Sequence, residues 1–336
     1  MKIKMKRFLI VLCLILTALI VFGLTRTEET VPEYVFSYAE NQEADYPTTL
    51  AGQYFADLVE QKTNGRIKIL IQHSGERGNE SQVIQQLKYG GVDFARISIS
   101  ELTNEMKALT VLQLPYLYES SEHMWKILDG EIGDYFLDVV SEYDMVGLSW
   151  YDAGARSFYT KDKPIKKLED ISGLKIRVQE SNMMASMVEY LGGEPVKEPY
   201  SEVYSLLEKS EVDGAENNWP SYETMQHYEV AGYYTLDEHI RIPELQICSK
   251  HTWEKLSKED QQIILACAKE SAVYQRELWK EQEMKSQELA VSAGTEVVEL
   301  SLVEKVKFKT AVEPLYERYC GEYMELIQQI RQIKKD

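Results

Sequence analysis

The chain is short of cysteine and of basic charge, and it lacks the common catalytic signatures. Each shortage removes a class of protein. Only four cysteines occur in 336 residues, and Cys13 lies inside an apolar N-terminal run. The other three, Cys248, Cys267 and Cys320, form an odd set without paired spacing, so they build neither a disulfide framework nor a zinc pattern. Cys267 follows the apolar stretch Ile263-Ile264-Leu265-Ala266 and reads as a core residue. Lysine and arginine number 37 against 55 acids, a formal net charge of −18. Four of those bases (Lys2, Lys4, Lys6 and Arg7) fall in the first 24 residues, which hold no acid, so the remainder is more acidic still. Such a surface disfavours nucleic acid as a partner and repels anions at long range. An anionic ligand would need a local basic pocket, which gives clustered arginines more weight here than in a basic chain. No G-x-S-x-G elbow, phosphate-binding loop, dinucleotide glycine fingerprint or H-E-x-x-H is present. Neither a cofactor nor a metal is expected, and catalysis is disfavoured.

Long apolar runs are also scarce, apart from Phe8 to Leu24, which follows the positive segment Lys2 to Arg7. It is long for a signal peptide and slightly short for a comfortable spanning helix. No small-x-small cleavage site stands near Phe22-Gly23-Leu24, and Cys13 is not at the run's end, where a lipidated cysteine would be. Residues 1–32 therefore read as a signal peptide or a membrane anchor plus a polar linker. In either case the positive charges stay inside and the body is exported. An apolar content of 44% and an aromatic content of 10% belong to a globular chain, and 336 residues suffice for two domains.

Within the body, strand and helix signals alternate. Tyr34 to Ala39 reads as a strand and Thr48 to Lys62 as a helix stopped by Asn64-Gly65. Arg66 to Ile71 alternates as a strand, Glu80 to Tyr89 reads as a helix, and Val92 to Ile97 as a third strand. This order implies parallel strands with right-handed crossovers. The logic repeats from Leu174 to Glu216, with strands at 174–178, 194–197 and near 212–216. A long charged helix from Lys258 to about Ala293 and a short strand at Glu296 to Leu300 follow, with further helix from Leu302 to Ile333. The fold class is thus α/β, with two lobes that point strand ends at a shared cleft.

Two segments carry the functional reading. Gly173-Leu174-Lys175-Ile176-Arg177-Val178 alternates like a strand and runs into the helix caps Ser181 and Asn182. That sets Arg177 near the carboxyl end of a strand, the rim where open α/β sheets hold ligands. A guanidinium there is a two-pronged donor suited to a carboxylate. Val212-Asp213-Gly214-Ala215-Glu216-Asn217-Asn218 adds uncharged amides, and together the segments suggest an anion site of arginine plus amide.

With Ala153-Gly154-Ala155-Arg156-Ser157-Phe158, these segments resemble the solute-binding subunits of tripartite ATP-independent periplasmic (TRAP) transporters, the DctP-like family. Thr63-Asn64-Gly65-Arg66-Ile67, Gly91-Val92-Asp93-Phe94 and Leu114-Pro115-Tyr116-Leu117-Tyr118 add to the resemblance, which runs from about residue 33 to residue 320. It implies a periplasmic-binding-protein-like fold whose long C-terminal helix spans both lobes. The implied limits are 33–154 with 243–281 for one lobe and 155–242 with 282–336 for the other. It also implies an extracytoplasmic receptor that closes by a hinge on a small carboxylate and hands it to membrane permease subunits. An N-terminal anchor, if uncleaved, would add membrane contact. Arg177 would pair with the carboxylate, Arg156 would assist, and Asn217 would donate an amide hydrogen bond. Arg96, with Glu40, Asn41, Gln42 and Tyr46 after the first strand, points to a sugar acid, a hexuronate rather than a C4-dicarboxylate. His73 is a further candidate, while Trp150 and Tyr151 read as core aromatics. The alternative classes are an organic-acid sensor domain and an envelope glycan-processing enzyme.

Overall fold

Alternation decides the first sheet. In β2 (Ile67–Gln72), Ile67 and Ile69 are buried while Lys68 and Leu70 face out. This strand pairs in parallel with β1 (Tyr34–Ala39), with Tyr34 opposite Ile67. Helix α1 (Pro47–Lys62) connects them and stops at Asn64 and Gly65, both with positive φ. Helix α2 (Glu80–Lys88) begins with a reciprocal cap in which Asn79 and Gln82 bond each other's backbone N–H. It leads to β3 (Phe94–Ser98), buried throughout and parallel to β1. The computed structural model describes residues 31–333, so the targeting segment read in residues 1–24 lies outside the described residues.

Two strands distant in sequence complete this sheet. They are β4 (Met145–Tyr151) and β10 (Glu244–Ser249), and β10 runs antiparallel to both β3 and β4. The order is β2-β1-β3-β10-β4. The second sheet is built from β5 (Ala155–Thr160), β6 (Lys175–Val178), β7 (Glu194–Lys197), β8 (Gly214–Asn217), β9 (Tyr233–Arg241) and β11 (Glu296–Glu299), in the order β11-β9-β5-β8-β6-β7. Strands β6, β7 and β8 are mutually parallel where they pair, as the strand-helix alternation implies, whereas β5 is antiparallel to β8 and β9. Helix α3 (Asn182–Tyr190), capped by Ser181, joins β6 to β7. After β7, Pro199 leads into a 3₁₀ turn at Tyr200–Glu202 before the short helix α4 (Val203–Glu208). Helix α5 (Trp219–Thr224) follows β8.

The chain passes between the sheets at 152–154, from β4 to β5, and at 242–243, from β9 to β10. Helix α6 (Lys258–Ser292) runs alongside both halves. Its 35 residues span about 52 Å at 1.5 Å per residue. Lys62 of α1 bonds Glu270 at 2.7 Å, and Ser286 bonds Glu223 of α5 at 3.1 Å. Between those anchors, Gln275 accepts from Asp152 N at 2.7 Å and donates to Asp152 O at 2.9 Å, which pins the first linker to the helix. Beyond β11, helices at 302–312, 314–320 and 324–332 return to both halves, with Tyr316 donating to Pro115 O and Tyr319 to Asn182 O. Among the described residues no helix is long and apolar enough to cross a membrane.

The linker geometry yields a stability prediction. Gly154 has φ +61°, and a Cβ there would stand 2.5 Å from Glu283 Oε1 and 2.9 Å from Trp279 Nε1. Gly154→Ala should lower stability by about 1–3 kcal/mol through backbone strain, read as an earlier urea midpoint. An unchanged midpoint would show that the linker relaxes freely.

Candidate ligand-binding site

Facing strand ends of the two sheets enclose one polar cavity, with about 460 Å³ of space unfilled by protein atoms including its mouth. Arg177, Arg156 and Asn217 line it from the second sheet, and Arg96, Asn41 and Tyr46 from the first. The six residues come from four separate strands and one loop, so only the tertiary fold brings them together.

The two arginines on the second sheet have different partners. Arg156, on β5, is locked to Glu216 on β8: Nε meets Oε2 at 2.5 Å and Nη2 meets Oε1 at 2.8 Å. Its Nη2 also donates to Glu216 O, and its Nη1 to Asn217 Oδ1 at 2.7 Å. Every nitrogen of that guanidinium is therefore committed inside the protein. Burial opposes ionisation of Glu216, yet Arg156 and His239 hold its carboxyl down at about 2. His239 lies on the other side of Glu216 and bonds Asp237 at 2.8 Å through Nδ1. Burial disfavours its charge, but the two acids raise it to about 9. Arginine, glutamate, histidine and aspartate thus form a closed, charge-balanced row under the cavity.

Arg177 has no such carboxylate. Its Nε and Nη2 donate to Glu198 O at 2.9 and 2.6 Å, a neutral acceptor. Its Nη1 is buried and meets no hydrogen-bond acceptor among the described residues. Burial lowers its pKa, which Glu216 opposes from a distance. A desolvated cation without an anion is costly, and an incoming carboxylate removes that cost. Asn217 accepts from Arg156 and from Asn218 N through Oδ1, leaving Nδ2 as the amide end able to donate to a ligand. Asn218 caps α5 by accepting from Ser221 N and donates to Ala153 O, while Trp219 stacks on Tyr234 with ring centres 3.7 Å apart.

The opposite wall is acidic. Arg96 on β3 is enclosed by Glu40, Glu80 and Glu244: Nε meets Glu40 Oε2 at 3.1 Å, and Nη1 meets Glu244 at 2.8 Å and Glu80 at 3.2 Å. Nη2 also meets Glu40 Oε1 and Asn41 Oδ1. Burial raises the Glu244 carboxyl to about 7 against the pull of Arg96, and raises Glu80 as well.

Three expectations need correction. Arg156 does not offer a free fork to the cavity, because Glu216 occupies it. Glu40 stands behind the lining, holding Arg96 and accepting from Asn41 N and Gln42 N. His73 lies off the cavity, with its Nδ1 at 2.8 Å from Ser74 Oγ. Trp150 and Tyr151 are core residues. Sequence reasoning missed Gln179, Glu80, Glu101 and Glu244, which also line the cavity. Gln179 had a signal, since it sits two residues after Arg177 and thus on the same side of an extended chain. Glu244 had none, because only the antiparallel pairing of β10 sets it opposite Ser98.

Contacts between the halves hold the cleft closed. Gln179 Nε2 donates to Ser98 Oγ at 3.1 Å, Ser81 Oγ to Glu180 at 3.1 Å, and Asn104 Nδ2 to Glu180 O at 2.6 Å. Tyr46 and Ser221 share a hydroxyl contact at 3.0 Å. Among the described residues no cluster of three or more histidine, cysteine or acidic side chains could hold a metal.

Two sheets that meet at a polar cleft, with a buried arginine there that has no acidic partner among the described residues, define the class. The chain belongs to the DctP family, bacterial extracellular solute-binding protein family 7, which it matches over residues 38–322. The family binds solutes and is not a class of enzymes. A solute-binding protein of Chromohalobacter salexigens is 38% identical over 84% of this chain and 83% of its own length. A TRAP periplasmic solute-binding protein from Bradyrhizobium sp. BTAi1, solved with galacturonate, superposes with a TM-score of 0.86 at 39% identity, covering 88% of this chain and 99% of that one. One from Pseudomonas putida F1, solved with D-glucuronate, gives a TM-score of 0.87 at 34% identity, covering 90% and 98%.

The contrast between the two arginines predicts separable phenotypes. Arg177→Ala should leave folding intact while costing at least about tenfold in affinity, in line with about 2–5 kcal/mol for a desolvated charge pair. Arg156→Ala should instead lower stability by about 3–5 kcal/mol, because Glu216 is left buried without its cation. Calorimetric titration and urea unfolding of both variants read this directly. Equal stability losses in the two would contradict the assignment.

Proposed function

We propose that the protein is an extracytoplasmic receptor for a hexuronate, D-glucuronate or D-galacturonate, which it delivers to the membrane subunits of a TRAP permease. The carrying observation is the asymmetry of the cavity. Arg177 alone among the cavity arginines lacks an anion, while the facing wall surrounds Arg96 with three glutamates. One carboxylate is drawn to Arg177, and a second, reaching the far wall, meets an excess of negative charge. Hydroxyl groups suit that wall, since carboxylates and amides there accept and donate to them. A monocarboxylate bearing hydroxyls along its length matches this arrangement, and a C4-dicarboxylate does not. The uronates bound by the Bradyrhizobium and Pseudomonas relatives have this chemistry.

Arg177 takes the ligand carboxylate through Nη1, Asn217 donates to it or to the ring, and Asn41, Glu80 and Glu244 read the ring hydroxyls. Closing the lobes, with 33–154 and 243–281 moving against 155–242 and 282–336, removes water and strengthens the ion pair. The N-terminal segment exports the body, and it tethers the body to the membrane where it is retained.

Competitive calorimetric titration checks the ligand class. D-glucuronate or D-galacturonate should bind at least about tenfold more tightly than succinate or malate, since each missing hydroxyl leaves a buried polar group unpaired at about 1–3 kcal/mol. Tighter binding of either dicarboxylate than of both uronates would refute the sugar-acid reading.

A further inference from the structure

Glu101 ends β3's approach to the cleft from the short helix Ile99–Leu102, and it lines the cavity together with Arg177 and Gln179. Its Oε1 accepts from Glu180 N at 3.3 Å, a contact made only when the two halves meet. The charged groups around it are unbalanced. Glu80 faces it from α2, Glu180 from the loop after β6, and Arg177 from β6. Beyond Glu80, Arg96 is already shared by Glu40, Glu80 and Glu244. On the second sheet, Arg156 is spent on Glu216, and His239 lies between Glu216 and Asp237. Among the described residues, Arg177 is thus the cation that acts on Glu101, and it is also the one the proposed ligand carboxylate would use.

We propose that Glu101 is a specificity-determining residue that enters the closed cleft as the neutral carboxylic acid, so that capture of one sugar carboxylate at Arg177 takes up one proton. This rests on the uronate reading above. An ionised Glu101 would compete with the ligand for Arg177 and repel it inside a desolvated space. The neutral acid does neither, and its O–H donates to an oxygen of the ligand. Burial, followed by Glu80, pushes Glu101 up to about 8, against the pull of Arg177. Exposed to water in an open cleft, the same side chain is an ordinary carboxylic acid with a pKa near about 4.3. The group therefore binds more protons in the closed, loaded form than in the open one. Affinity should be highest in acid and fall by up to about tenfold per pH unit as pH rises from about 5 to about 8. Glu244, raised to about 7 by burial, adds a smaller contribution of the same sign.

Calorimetry of the whole chain with D-glucuronate and D-galacturonate, near pH 7 in buffers of different ionisation enthalpy, counts the protons. The wild type should take up about one proton per uronate bound. Glu101→Gln should lose more than half of that uptake and bind more tightly than the wild type at pH 8. Absence of uptake in the wild type, undiminished uptake in E101Q, or weaker binding by E101Q at pH 8 would each overturn the role of Glu101 while leaving the uronate reading intact. Failure of both uronates to bind the wild type anywhere between pH 5 and 8 would remove the uronate reading, and this inference with it.

Discussion

The pairing of Arg156 with Glu216 fixes how the cavity is charged. Both side chains are buried, on neighbouring antiparallel strands, and the guanidinium meets the carboxylate with two parallel contacts. A pair of this kind is satisfied by itself, and with His239 and Asp237 it forms a row without net charge. Its neutrality is what isolates Arg177. Had Glu216 been shared between the two arginines, neither would carry a full unmet charge, and the cavity would attract anions weakly despite holding two bases. Because the pair is closed, the attraction is concentrated on one nitrogen, Arg177 Nη1.

The same accounting of charges explains the opposite wall. An acidic chain that must bind an anion gains selectivity by keeping its negative groups inside the site as well as outside. Glu40, Glu80 and Glu244 hold Arg96 so thoroughly that it cannot serve a second carboxylate, while Glu80 and Glu244, which line the cavity, keep lone pairs able to accept from hydroxyls. Under the proposed function, the cleft offers one end to charge and the other to hydroxyls, which would set the ligand's orientation. The long helix α6 connects the two halves and is pinned to the linker between them at Asp152. Gln179 and Ser98 meet across the closed cleft.

Much of the fold was legible because local patterns and tertiary packing agree. Tyr34–Ala39 and Glu194–Lys197 occupy the expected positions, and the long helix begins at Lys258 and ends within a residue of expectation. The antiparallel strands β5, β9 and β10 were less visible, since nothing in a parallel β-α-β pattern announces a strand that crosses from one sheet to the other. Glu244 stayed hidden for that reason. Arg177 was legible because a strand alternation running into a capped helix places its rim residue with few alternatives. The roles of Arg156 and Glu40 were not, because a side chain's partner depends on which acid the fold brings to it, and 55 acids give no sequence signal for the choice. Glu216, adjacent to Asn217 on β8, is the group that decides the matter. His73 follows a strand toward the cleft, but the loop after β2 turns it onto Ser74.

The most direct test is an experimental structure of the chain with D-glucuronate bound. The account predicts the sugar carboxylate within hydrogen-bond distance of Arg177 Nη1, the Arg156–Glu216 pair unbroken, and the ring hydroxyls facing the wall around Arg96. A carboxylate seated on Arg156 with Glu216 displaced, or one lying against Arg96, would contradict it.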